Sequence, residues 1–164
     1  SDVVFLCVGS DRVCYGGDLN RIDAKSYREH ILAQDDYDLD RFIFTGRVDP
    51  NQLVDVFSMS DLHIYLTVPF VLSWSMMNAL ACGCTVLGSA TAPVLEMLHH
   101  GENGLTADFF DVDALTEQAL TVLEDPEKYR HLGEAGAKMV RENYSLDVCL
   151  PKMLELYEKT LNAA

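Results

Sequence analysis

Apolar and polar positions along this chain fall into two alternating rhythms. Short apolar runs, rich in β-branched and aromatic residues, lie at 3–9 (VVFLCVG), 41–46 (RFIFTG), 62–67 (LHIYLT), 84–89 (CTVLGS) and, more weakly, 104–108 (GLTAD). Their length and composition favour strands over helices. Between them, apolar residues recur at helical spacing: 24–34 (AKSYREHILAQ), 49–60 (DPNQLVDVFSMS), 72–82 (LSWSMMNALAC) and 92–100 (APVLEMLHH). Asp49 and Pro50 are suited to a helix start, and Gly83 and Gly101 to helix stops. Beyond residue 110 only the helical rhythm continues, through 111–125, 126–144 and 145–161, with Asp111, Pro126 and Ser145 at the starts. Pro151 either kinks the last helix or falls in its first turn. The stretch 9–24 has neither rhythm and reads as a loop.

Strand and helix in alternation are the signature of parallel βαβ units. The expectation is a single α/β domain over 1–164. It is a doubly wound, Rossmann-like, mostly parallel sheet of about five strands, with helices on both faces and a helical C-terminal region.

Charge narrows the partners. The 164 residues carry a formal net charge of −14, which argues against nucleic acid and against an anionic membrane surface. A small phosphate ligand stays compatible, because backbone amides at a helix start act locally. No apolar run is long enough to suggest a membrane span, and the opening residues do not read as a signal peptide. Cytoplasmic residence is expected. The five cysteines, Cys7, Cys14, Cys82, Cys84 and Cys149, read as reduced thiols, three of them inside apolar runs. The CGC spacing at 82–84 is not a zinc pattern. His99 and His100 are adjacent, and adjacent helical side chains diverge, so no metal site is expected.

The junction TVPFVLSWSMMNALACGC, 67–84, is where chemistry is expected. Ligands of doubly wound sheets bind beyond the carboxyl ends of the strands. A helix starting near Leu72 would point the amides of Val71, Leu72, Ser73 and Trp74 at such a ligand, with the Ser73 and Ser75 hydroxyls in support. Asn78 follows a turn and a half later among apolar neighbours. It is either a structural or exposed residue, or a hydrogen-bonding group of the site.

From the GRV at 46–48 onward the chain resembles the C-terminal, donor-binding domain of group 1 (family 4) retaining glycosyltransferases. The marks come in order: SMSDLHIYLT (58–67), ALACGCTVLGS (79–89), APVLEMLHHGENGL (92–105) and the helical tail through 140. The resemblance implies a GT-B enzyme whose substrate is a nucleotide-diphosphate sugar, with no cofactor besides. A hexose would pass to a glycan or lipid acceptor with retention, as in polysaccharide biosynthesis, and the acceptor would be held by an N-terminal domain. This chain would be a fragment lacking that half and the first strand with its basic pair, and inactive alone. The resemblance places Arg47 and Val48 at the nucleotide base and Glu96 in the segment after the fourth strand. The family's two glutamates, one near the donor sugar and one on the ribose, fall on Phe70 and Asn78. Neither is acidic, and PFVLSWS replaces a glycine-rich turn.

Two alternatives follow. One is a degenerate, non-catalytic domain with an assembly role. The other is a nicotinamide dehydrogenase. The latter would want G-x-G-x-x-G after the first strand, where the chain has VGSDRVCYGG. The pair Gly16 and Gly17 beside Tyr15 reads as a chain turn or a loop near the ligand.

Overall fold

The computed structural model describes residues 3–12 and 17–163; Cys14, Tyr15 and Gly16 lie outside the described residues. The chain divides into two compact units, Ser1–Leu53 and Val54–Ala164. The expected strands are present and parallel, paired as one sheet of two and one of three.

In the first unit, β1 (Phe5–Val8) pairs with β2 (Phe42–Gly46), Phe5 opposite Phe42 and Cys7 opposite Phe44. The register slips before Val8, which faces Gly46. Gly46 takes φ +66° there, a left-handed conformation that glycine adopts without steric cost. Phe5 stacks on Phe42 at 4.8 Å. The Arg28 guanidinium lies 3.6 Å from the centroid of the Phe44 ring and reaches Asp11 at 3.2 Å. Helix α1 (Tyr27–Leu32) is shorter than its periodic stretch. Ser26 sets its start, accepting the Glu29 amide at 3.1 Å, while the Glu29 carboxylate accepts the Lys25 amide. These two bonds tie 25–26 to the first turn from outside it and leave 24–26 out of the helix. A 3-10 turn, Asp18–Arg21, occupies part of the expected loop.

The second unit carries the packed core. After α2 (Pro50–Met59), in which the unit boundary falls, come β3 (His63–Tyr65), β4 (Val86–Ser89) and β5 (Leu105–Ala107), ordered β3-β4-β5. All four residues of the central strand β4 are buried, which accounts for its unbroken apolar character. Helix α3 (Trp74–Ala81) turns Met76, Ala79 and Leu80 inward. Helices α5 (Val112–Glu124), α6 (Pro126–Tyr144) and α7 (Leu146–Asn162) follow as expected, with Asp111 capping α5 through the Ala114 amide at 2.9 Å. Pro151 lies inside α7, beyond its first turn. Leu87, Leu105, Ala107, Leu115, Val122 and Leu132 form one buried cluster.

Two glycines set how closely α6 approaches. A Cβ on Gly133 would stand 2.0 Å from the Gly83 carbonyl oxygen, and one on Gly136 would stand 2.7 Å from Leu80 Cδ2. The turn between α3 and β4 therefore lies directly under α6. Thr85 Oγ1 also donates to the Tyr129 carbonyl at 3.2 Å.

Helix α4 (Ala92–Leu95) departs from the expected 92–100. The buried side chain of Asn103 ends it, donating to the Met97 carbonyl at 2.9 Å and accepting the His99 amide at 2.7 Å. His99 and His100 are consequently not helical. His100 makes a bridge to Gly104, and its Nδ1 accepts the Thr106 amide at 3.0 Å. Among the described residues no group of three or more His, Cys, Asp or Glu is placed to hold a metal ion, and no helix is long and apolar enough to cross a membrane.

Candidate functional site

The carboxyl ends of β3, β4 and β5 lie at one edge, because the strands are parallel. The segments 66–73, 90–91 and 108–111 therefore all emerge there. The first of these is tied down at both ends. Ser89, buried at the end of β4, accepts the Thr67 amide at 2.9 Å and donates its hydroxyl to the Thr67 carbonyl at 2.8 Å. At the other end the Ser73 amide donates to the Tyr65 hydroxyl at 2.9 Å. Between the two anchors, Val68, Phe70 and Val71 are exposed.

Ser73 caps α3, its Oγ accepting the Ser75 amide at 3.2 Å. The expected set of donors at this helix start is thus revised. The Ser73 amide is engaged by Tyr65, and the Ser73 hydroxyl serves its own helix. Ser75 Oγ lies 3.2 Å from His63 Nε2, so it too is engaged. Among the described residues, the amides of Val71, Leu72 and Trp74 have no hydrogen bond within the chain. Three of the four expected amides remain available to a ligand.

Asn78 is exposed, on the α3 face opposite Met76, Ala79 and Leu80. It lies four residues after Trp74, which places the two side chains on one face. Phe70 is exposed and contributes no charge. Glu96 is exposed just past α4. Thr91, at the start of α4, keeps a buried hydroxyl without a partner among the described residues. Arg47 and Val48 belong to the first unit, directly after β2, the arginine exposed and the valine half-buried.

Among the described residues, the groups with shifted pKa values are one half-buried imidazole and three thiols, and they serve packing. His63 is edge-on to Phe57 at 5.2 Å, and burial lowers its pKa. Cys84 is pushed up to about 12, chiefly by burial and then by neighbouring Cys82. Cys7 and Cys82 are raised by burial as well. None of the three is an activated nucleophile. The described cysteines, Cys7, Cys82, Cys84 and Cys149, are free thiols.

Tyr65 and Ser89 were not singled out in the sequence. The available signal is positional: each lies at the carboxyl end of a strand, the one place where a side chain reaches the next loop.

A parallel sheet with an amide-bearing helix start beyond its central strands is common to many nucleotide-binding proteins, so the geometry alone does not name a family. The profile of the family described as glycosyl transferases group 1 matches residues 5–139. The chain belongs to this family. It is 26% identical over 122 residues to N-acetyl-alpha-D-glucosaminyl L-malate synthase of Bacillus anthracis, covering 74% of this chain and 32% of that protein. It is 22% identical over 161 residues to an uncharacterized glycosyltransferase of Methanocaldococcus jannaschii, covering 98% of this chain and 38% of the other. The chain thus spans about a third of the length of these relatives. Among solved structures it resembles sucrose-phosphate synthase from Thermosynechococcus elongatus, with a TM-score of 0.79 and 26% identity over 97% of this chain and 39% of that one. It also shares its fold with Anabaena Alr3699/HepE, solved in complex with UDP-glucose, with a TM-score of 0.74 and 14% identity over 95% of this chain and 49% of that one. For this member of the family the edge formed by 66–73 and the start of α3 is the candidate site.

Proposed function

We propose that this chain is the donor-binding half of a retaining glycosyltransferase that moves a hexose from a nucleotide-diphosphate sugar to a glycan or lipid acceptor. The observation that carries the reading is the start of α3. It lies at the carboxyl edge of the sheet, and the amides of Val71, Leu72 and Trp74 are left unbonded beside an anchored loop. Such amides bind a diphosphate without a basic side chain, which suits a protein of net charge −14. They also stabilise the charge that develops on the leaving diphosphate as the sugar bond breaks. Asn78 binds a ribose hydroxyl as a neutral donor and acceptor, and Arg47 with Val48 contributes to the base. The acceptor belongs to an N-terminal domain of a longer, cytoplasmic protein, which is membrane-peripheral where its acceptor is a lipid. The 164-residue chain by itself transfers no sugar.

Calorimetric titration with UDP, GDP and ADP tests the reading. One of the three is expected to bind, and sugar transfer by the chain alone is expected to be absent. Heat with none of them would overturn the donor-site reading. It would favour the second one, a degenerate domain with an assembly role, for which the non-acidic Phe70 and Asn78 speak.

A further inference from the structure

We propose that Trp74 selects the sugar of the donor, its indole face receiving the C–H face of the pyranose ring. This rests on the donor-site reading above and names the residue that reads the sugar. Trp74 is the only tryptophan in the chain and is 82% exposed, on the first residue of α3. Tryptophan ordinarily buries most of its large apolar surface. Here that surface stays in water, and none of the ring pairs among the described residues includes it. The same residue carries one of the three unbonded amides, so an indole face and a phosphate-binding donor leave the chain at one point. Asn78 lies one turn further along the same face.

The neighbouring positions have the same character. Phe70 is 69% exposed and Phe110 83% exposed. They sit on the segments that follow β3 and β5, the two strands flanking β4, whose ends are about 10 Å apart at ordinary strand spacing. A carboxylate at position 70 would recognise a sugar by its hydroxyls. A phenylalanine there cannot. A pyranose carries its hydroxyls around the rim and presents C–H groups on its faces. Stacking on the C–H faces is the recognition that these exposed aromatic side chains supply, with the amides taking the diphosphate.

Trp74 supplies its own probe, since all tryptophan emission of the chain comes from it. Emission and binding heat are followed together in titrations with UDP, GDP and ADP and with UDP-glucose, GDP-mannose and ADP-glucose. The nucleotide sugar that binds is expected to shift the emission to shorter wavelength than its parent diphosphate does at saturation. Trp74→Leu is expected to lose about tenfold in nucleotide-sugar affinity, with diphosphate affinity and unfolding midpoint unchanged, and Trp74→Phe to recover most of it. Heat with the nucleotide sugar but no emission change beyond that of its diphosphate overturns the proposal and leaves the donor site standing, since the sugar then leaves the indole untouched. Absence of heat with every compound overturns both.

Discussion

The Tyr65 hydroxyl accepts the Ser73 amide at 2.9 Å, joining the end of β3 to the residue that caps α3. One side chain thereby spans the loop and fixes where the helix starts. Tyr65 is 9% exposed, so its hydroxyl has little water to turn to. Tyr65→Phe is expected to cost about 1 kcal/mol in urea unfolding. It should also abolish hydrogen-exchange protection at the Ser73 amide while leaving the amides of β4 protected. Retained protection at Ser73 would show that something other than this hydroxyl orders the loop.

The contact of α6 with the turn at Gly83 gives an ordered pair of substitutions. A methyl at Gly133 meets backbone at 2.0 Å, whereas one at Gly136 meets the end of a leucine side chain at 2.7 Å. Backbone cannot step aside, but a leucine terminus can. Gly133→Ala is expected to destabilise by about 3 kcal/mol or more. Gly136→Ala should cost less, because about 1 kcal/mol of helix propensity offsets its clash. Equal effects in denaturant melts would contradict the close approach.

Burial holds the pKa of His63 below its ordinary 6.5. As pH falls past 6.5, the unfolded chain takes up the proton before the folded one does. The stability contributed by neutral His63 is thus complete above that value and is lost as pH falls through the folded value. The unfolding midpoint should decline as pH falls below about 6.5, and His63→Gln should flatten that decline. An unchanged slope would assign the pH dependence to other groups.

Cys84 is 3% exposed, and its thiol is pushed up to about 12. Both properties keep it protonated and out of reach of alkylating reagents. Under native conditions at about pH 8, iodoacetamide should label Cys149 before Cys84, with Cys84 reacting only on unfolding. Mass spectrometry of the peptides decides this, and early labelling of Cys84 would place its turn in solvent.

The fold was legible because the two rhythms of apolar residues are distinct. CTVLGS is short, continuous and buried, and LSWSMMNALAC turns one face inward, as Met76, Ala79 and Leu80 confirm. What could not be read is side chain chemistry acting across distance. Asn103 ends α4 eight residues after that helix's last turn, and nothing in APVLEMLHH signals it. In the same way Tyr65 removes one amide from the expected donor set and His63 engages the Ser75 hydroxyl. Local pattern records which face of an element is apolar. It carries no record of which polar partner a fold brings to a loop.

Asn78 separates a ligand-binding role from a structural one. It is exposed, and its side chain makes no hydrogen bond among the described residues. Replacing it removes nothing that holds the helix, so Asn78→Ala should leave the urea midpoint within about 0.5 kcal/mol of the parent. If Asn78 bonds the 2′-hydroxyl of the ribose, the same substitution weakens nucleoside diphosphate binding by about five- to tenfold. A 2′-deoxy analogue should then bind the parent and the variant alike, because the lost partner is absent from both. An Asn78→Ala protein that still prefers the ribonucleotide as strongly as the parent would exclude Asn78 from the 2′-hydroxyl, whatever the affinity change.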